Sequence, residues 1–493
     1  MRSLNGHTGI LLKEFFVVRH LPVLFFLFIG GLGSLVIPVQ IAFAAQEPIM
    51  RVLLDQAKNL RFRADRDIPL LIEGISSGER QAVSLTLRRR SGRLEAIFPG
   101  SSRKSLRFGD QSVISIRTND PRGVWFGNRR YKGALRIILK NGLLTVVNHV
   151  GIESYLASVI GSEMPKSWPM NALQAQAIAA RTYALKRYSN KNFFDVQATM
   201  SDQVYLGVEA ETKSTREAAE TTRTLVLAHK GKLINAVFHS SSGGVTESSG
   251  DVWREQLPYL ISVKDFDDNS PSRKWSMAFT PRYLRRAFHE VNGLKTIRVQ
   301  SQSLTGRVKK VLVIGPMGTI SITGQELRRR LGLKSTFVSF EMLDSKPQKH
   351  DLLDVLSNSQ VDPKRAFRTY APQQNLEKPM YSINSQASIN NLDSSRFDGQ
   401  KDFDSLSQPP SLPPLGAPPL SPPSLFTSPP SLLPKIDVST NRPFLYVRGL
   451  GAGHGVGMSQ WGAYGLANRG LTYRQILKHY YTGVQVIPYR RIR

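Results

Sequence analysis

One glutamate, Glu163, stands at a place in the chain that suits acid catalysis. Ile152, Leu156, Val159 and Glu163 fall at i, i+4, i+7 and i+11, one face of a helix. Three of the four are apolar, so that face turns inward and carries Glu163 in its last turn. Pro165 stops the helix there, because proline pushes the residue before it out of the α region. Partial burial and the negative end of the helix both disfavour a charged carboxylate. Both raise its pKa toward the range of a general acid. Two readings of Glu163 stay open on this pattern. It is either a proton donor or a structural anion paired with a cation, for which Arg181 is the nearest candidate.

Other groups could line a site around it. A second helix is predicted to start at Pro169, a favoured first-turn residue, and to run through Tyr183. On it Gln176 and Tyr183 share a face, as do Gln174, Ile178 and Arg181. The Arg181 guanidinium suits bidentate capture of a carboxylate, or a salt bridge at the edge of the core. Asp202, followed by Gln203, is a fallback second carboxylate or a loop tether. Ser240, Ser241, Ser242, Gly243 and Gly244 offer hydroxyls and amides to an anionic group, or form a tight turn. Gly451, Gly453, Gly455 and Gly457 fail the spacing of a dinucleotide loop, since Val456 stands where the third glycine is needed. They are expected to let backbone approach a ligand, with His454, Ser459 and Gln460 as polar partners and Trp461 as an aromatic face. That mixture suits a sugar. Against it stand a core role for Trp461 and a carbonyl bond for His454. The chain has no cysteine, which removes disulfides and thiolate metal sites. His239 is the remaining metal-ligand candidate, and no metal or cofactor is expected.

The elements that must position these groups are mixed. Short apolar runs alternate with turns before residue 148, and Asn141-Gly142 between two β-prone runs signals a hairpin. The period turns helical from Ile152, and strands return near 225–238 and 308–322. Sheets and helices follow one another without regular βαβ alternation, so the class is α+β. Repeated Pro-Pro pairs such as Pro409-Pro410 and Pro422-Pro423 cannot pair into a sheet or continue a helix. The stretch 345–441 is therefore expected to be a disordered insert with a polyproline II portion. A compact segment follows it, and Thr472-Tyr473-Arg474-Gln475 is a capping-box pattern opening a last helix.

At the N-terminus, Arg2, Lys13, Arg19 and His20 precede an uncharged, mostly apolar run from Leu21 to about Ile37. Ala42-Phe43-Ala44 then offers a signal-peptidase site. A permanent anchor is the competing reading. Either way the expected location is outside the cytoplasm, in the periplasm or cell envelope. The 66 basic residues against 37 acidic ones give a net charge of +29, which attracts polyanions. Export argues against nucleic acid and for a wall polymer bearing carboxylates, with membrane contact only through an uncleaved N-terminal segment. The expected organisation is 1–44 signal peptide, 45–130 β-rich region, 131–344 catalytic domain, 345–441 insert and 442–493 the rest of the same domain.

Seven short motifs occur in a characteristic order. They are Gly151-Ile152-Glu153-Ser154-Tyr155-Leu156, Ser162-Glu163-Met164-Pro165, and the run from Ala175 to Tyr183. Then come Asp202-Gln203-Val204-Tyr205-Leu206-Gly207, Ser240 to Gly244, Gly324-Gln325-Glu326-Leu327-Arg328 with its downstream Leu331-Gly332-Leu333, and Gly453 to Ala463. Together, over 131–340 and 448–486, they resemble the stage II sporulation protein D family, which also includes proteins described as amidase enhancers. The resemblance implies a lytic transglycosylase acting on peptidoglycan glycan strands, with Glu163 as catalyst and a 1,6-anhydro product. In that chemistry the sugar's own 6-hydroxyl attacks, so one carboxyl serves where ordinary glycosidases need two. The alternative is a wall-binding protein without catalysis that stimulates a cell-wall amidase. Some relatives bind zinc through cysteine and histidine beside the Ser-Gly-Gly run. This chain keeps only His239 there.

Overall fold

The computed structural model describes residues 47–343 and 444–492, apart from 66, 77, 91–92, 100–103, 107–111 and 190–191. The expected signal peptide and Pro-rich insert lie outside the described residues. Among the described residues no helix is long and apolar enough to cross a membrane.

The chain is α+β. Strands Ala134–Lys140 and Leu143–Gly151 form the expected hairpin, with Lys140 opposite Leu143. Asn141 and Gly142 take φ of 49° and 76°, the conformation that a two-residue turn of this hand demands. Alternation then decides the faces: Leu135 and Ile137 are buried while Arg136 is exposed. The hairpin sits inside a seven-stranded sheet in the order 196–197, 49–57, 143–151, 134–140, 114–118, 70–76 and 78–82. This sheet thus joins strands from both sides of residue 130. A six-stranded sheet, built from strands between 59 and 131, shares its core through Phe62, Leu85 and Leu87.

Helix α1 (Ile152–Glu163) follows the sheet directly and ends at Glu163, where the Met164 N–H bonds back to the Ile160 carbonyl. Ile152, Leu156 and Val159 are fully buried, as their spacing predicted. Helix α2 (Met170–Arg187) begins one residue after Pro169, which takes the capping position rather than the first turn. Its alanines let it pack against α1, α3 (Lys213–Thr221) and two later helices at once. The short α4 spans Ser249–Val252.

A second, separate core gathers Phe288, Val311, Val313, Leu327, Leu331 and Leu445. It lies under helices α5 (Pro281–Ala287) and α6 (Gly324–Leu331) and the meander 296–302, 308–315 and 318–323. Beyond it, α7 (Gln460–Asn468) and α8 (Tyr473–Tyr480) return to α2. Thr472 and Gln475 cap α8 reciprocally, as their sequence pattern predicted. Tyr480 and Tyr481 are buried.

Strands Val338–Leu343 and Phe444–Leu450 pair antiparallel, with Leu343 opposite Phe444. Residues 343 and 444 thus stand opposite each other in one sheet.

Candidate active site

Glu163 is half-buried at the C-terminal end of α1. Its Oε1 accepts a hydrogen bond from the Val204 backbone N–H at 3.0 Å, and its Oε2 accepts one from the Gln460 amide at 3.3 Å. These partners lie 41 residues downstream and 297 residues downstream. Burial pushes the carboxyl above its ordinary pKa, while the two donated hydrogen bonds pull the other way without reversing the shift. Among the described residues no cation pairs with it. Burial thus favours the protonated form, and two uncharged donors face the carboxyl.

The donors are themselves fixed from behind. Gln203, fully buried, accepts from the Tyr155 hydroxyl at 2.9 Å and donates to the Ala180 carbonyl at 3.3 Å. That anchors the loop on α1 and α2 and fixes the Val204 N–H that follows. Asp202 accepts from the Tyr183 hydroxyl at 2.8 Å and from the Gln197 N–H at 2.9 Å. Both its oxygens accept hydrogen bonds within the fold, which is the arrangement of a loop tether. Gln460 opens α7, whose N-terminus Ser459 caps by accepting from the Gly462 N–H. The Trp461 N–H donates to the Ser240 carbonyl at 3.0 Å, which ties that helix to the serine run.

Beside the acid lies an aromatic cluster. Trp461 meets Trp168 edge-on at 4.7 Å between ring centroids, and Tyr464 lies 5.0 Å from Trp168 and 5.5 Å from Trp461. Trp168 follows Glu163 by five residues and Trp461 follows Gln460 by one, so the cluster is tied along the chain to both the carboxyl and its donor. Trp461 and Tyr464 stay half-exposed. Rings presented this way offer a stacking face to the C–H side of a sugar.

Several residues expected at the site serve the scaffold instead. Of the two readings of Arg181, capture of a ligand carboxylate or a salt bridge at the edge of the core, the structure shows a salt bridge. Arg181 is fully buried and grips Glu153, with Nη2 donating to Oε2 at 2.5 Å and Nε to Oε1 at 3.1 Å. Its remaining donors reach the carbonyls of Ala219 and Leu225. The reason is position, since α2 is packed on several sides and only an internal carboxylate can meet a guanidinium there. Gln176 is buried on the same helix, and its amide has no hydrogen-bond partner among the described residues. Tyr183 is spent on Asp202.

The serine run binds an anion, but the anion is internal. Ser241 donates to Asp267 and Ser242 donates to Asp265 at 2.5 Å, while the Gly243 N–H donates to Asp267 at 2.7 Å. Tyr480 also donates to Asp265, at 2.6 Å, and Arg273 pairs with Asp267. Burial, and then the neighbouring Asp267 charge, push the Asp265 carboxyl up. Gly244 donates to the Ser242 hydroxyl at 3.1 Å.

The four loop glycines make room for protein, not ligand. All have positive φ, and a β-carbon on each would strike Ser241 and Gly243 backbone, His239, Arg307 or the Val237 carbonyl. His454 accepts from the Val456 N–H at 3.1 Å, and His239 donates from Nδ1 to the Val456 carbonyl at 3.1 Å. Burial lowers both histidines, His454 to about 4, so both are neutral near pH 7. Among the described residues no group of three or more His, Asp or Glu could hold a metal ion.

Sequence reasoning missed Val204, Trp168, Tyr464, Glu153 and the Asp265–Asp267 pair. Val204 acts through its backbone, which leaves no side-chain signal. Trp168, close after Glu-Met-Pro, was the one legible clue.

The chain is similar to several known proteins. The profile of the stage II sporulation protein family matches residues 140–229, which include α1 and α2. An amidase enhancer of Bacillus subtilis is 30% identical over 336 residues, 68% of this chain and 40% of that protein. Stage II sporulation protein D of Bacillus subtilis is 27% identical over 209 residues, 38% of this chain and 60% of that protein. An uncharacterised protein of Brachyspira hyodysenteriae is 28% identical over 405 residues, 81% of this chain and 84% of its own length. The chain thus spans well under two thirds of the amidase enhancer.

The buried pair sets a test of the scaffold. Arg181→Ala leaves Glu153 buried and unpaired, which is expected to lower stability by about 3–5 kcal/mol in denaturant unfolding. Replacing both partners with methionine is expected to recover most of that loss.

Proposed function

Because the chain belongs to the stage II sporulation protein D and amidase enhancer family, we propose that it cleaves peptidoglycan glycan strands as a lytic transglycosylase, with Glu163 as its single acid and base. The observation that carries this reading is the Glu163 carboxyl itself. It is shifted toward its protonated form by burial, has no ion pair among the described residues, and accepts from two uncharged donors.

In the proposed reaction the Glu163 proton passes to the glycosidic oxygen as the bond from that oxygen to the anomeric carbon breaks. The muramic acid 6-hydroxyl then bonds to the anomeric carbon and gives its proton to the Glu163 carboxylate. The proton count closes without water, and the products are a 1,6-anhydro end and a free 4-hydroxyl. Between the two transfers Glu163 is an anion in a partly dry place. The Val204 N–H and the Gln460 amide stabilise it during that interval. No second carboxylate is required, which fits Asp202 being occupied.

The amidase-enhancer reading has its own support. The match to that relative extends over 68% of this chain, further than the match to the sporulation protein. On that reading the chain binds wall glycan and stimulates an amidase, and Glu163 has no chemical task.

Isolated sacculi separate the two. Wild-type protein is expected to release 1,6-anhydro muropeptides, and Glu163→Gln to release none while still binding. Release by the glutamine variant at the wild-type rate would rule out the enzymatic reading. The donor must be protonated, so activity is expected to fall as pH rises through a Glu163 pKa lying above the ordinary glutamate range. Gln460→Ala removes a hydrogen bond that favours the anion. Its alkaline limb is expected to move to higher pH while the maximal rate drops, read from pH profiles on soluble glycan.

A further inference from the structure

The part of the chain built on the second core is far more basic than the rest. Residues 281–334 hold twelve Lys and Arg against two Glu, a net +10. Both glutamates are already clamped, Glu326 by Arg329 and Arg330 and Glu290 by Arg330. Lys309 pairs with Asp251, and Arg307 is buried beside Glu247. Seven of the others are exposed without an ion pair among the described residues, and Arg282, Arg285, Arg286 and Lys295 are four of them.

Their placement is not scattered. Arg282, Arg285 and Arg286 stand at i, i+3 and i+4 on α5, so they share its outer face while Leu284 turns into the core. Arg285 runs across the turn at Gly293, where a β-carbon would stand 3.1 Å from the Arg285 Cγ. That lays its stem two residues ahead of Lys295, joining helix and strand into one cationic face. The helix dipole favours Arg285 and Arg286 in the last turn, but it disfavours Arg282 in the first. Like charges at i and i+4 also repel. A face kept this way, with no carboxylate to neutralise it, fits an external polyanion.

We propose that Arg282, Arg285, Arg286 and Lys295 form a second binding face that holds a linear anionic wall polymer through its phosphodiester or carboxylate groups. Guanidinium forks match both chemistries. The choice of a wall polymer over nucleic acid rests on the function proposed above. The face lies on a different core from Glu163, so it tethers the chain while the acid acts elsewhere on the strand.

Co-sedimentation of the full chain tests this with three preparations. These are sacculi retaining their phosphodiester polymers, sacculi stripped of them by acid, and stripped sacculi with their carboxylates amidated. Wild-type binding is expected to weaken steeply as salt rises, and to weaken at least about tenfold in R282Q/R285Q/R286Q/K295Q, whose melting temperature should match wild type. The treatment that abolishes binding identifies the source of the anion. Three results would overturn the proposal: wild-type affinity in the quadruple variant, salt-insensitive binding, or stronger binding to duplex DNA than to any sacculi. Two controls keep its fate separate from that of Glu163. The quadruple variant should cleave soluble peptide-free glycan at the wild-type rate, and Glu163→Gln should bind sacculi as wild type does.

Discussion

A carboxyl group that donates a proton and then takes one back asks two opposed things of its surroundings. It needs enough dryness to hold the proton, and enough polarity to survive as an anion once the proton has gone. On the function proposed for Glu163, the end of α1 and the packing around it supply the dryness. A backbone N–H from Val204 and an amide from Gln460 supply the polarity. Neither donor carries a charge. An arginine in their place would hold the group ionised and leave it without a proton to give.

Much of the remaining architecture keeps those donors still. Gln203 is locked between Tyr155 and Ala180, Asp202 between Tyr183 and Gln197, and Ser459 caps the helix that presents Gln460. Behind them α2 is studded with alanine and crossed by the Arg181–Glu153 pair, which satisfies two buried charges internally. The serine run repeats this economy with Asp265 and Asp267. Groups whose chemistry would suit a ligand are consumed in holding the glycine loop and α7 in place. Such a scaffold leaves Glu163 facing two uncharged donors, shifted by burial toward its protonated form.

The hairpin at Asn141-Gly142, the buried face of α1, its end at Pro165 and the cap of α8 were all legible, because each depends on neighbours within a few residues. The position of Glu163 on an inward face was legible for the same reason. The partners were not. Arg181 has the right residue type for binding a sugar carboxylate, and so do Ser241 and Ser242 for binding an anion. Their side chains are taken by Glu153, Asp267 and Asp265, which lie 28, 26 and 23 residues away. The loop glycines were read as space for a ligand, yet they are space for the strand beside them.

The sequence alone thus determined the α+β class, the helix that ends on Glu163 and the motifs of the family, since these are set by local periodicity, proline and capping. Only the tertiary structure decided which polar groups face the acid and which face one another. Burial and hydrogen bonding are settled between segments up to 297 residues apart, and a residue's type does not say which distant partner will reach it first.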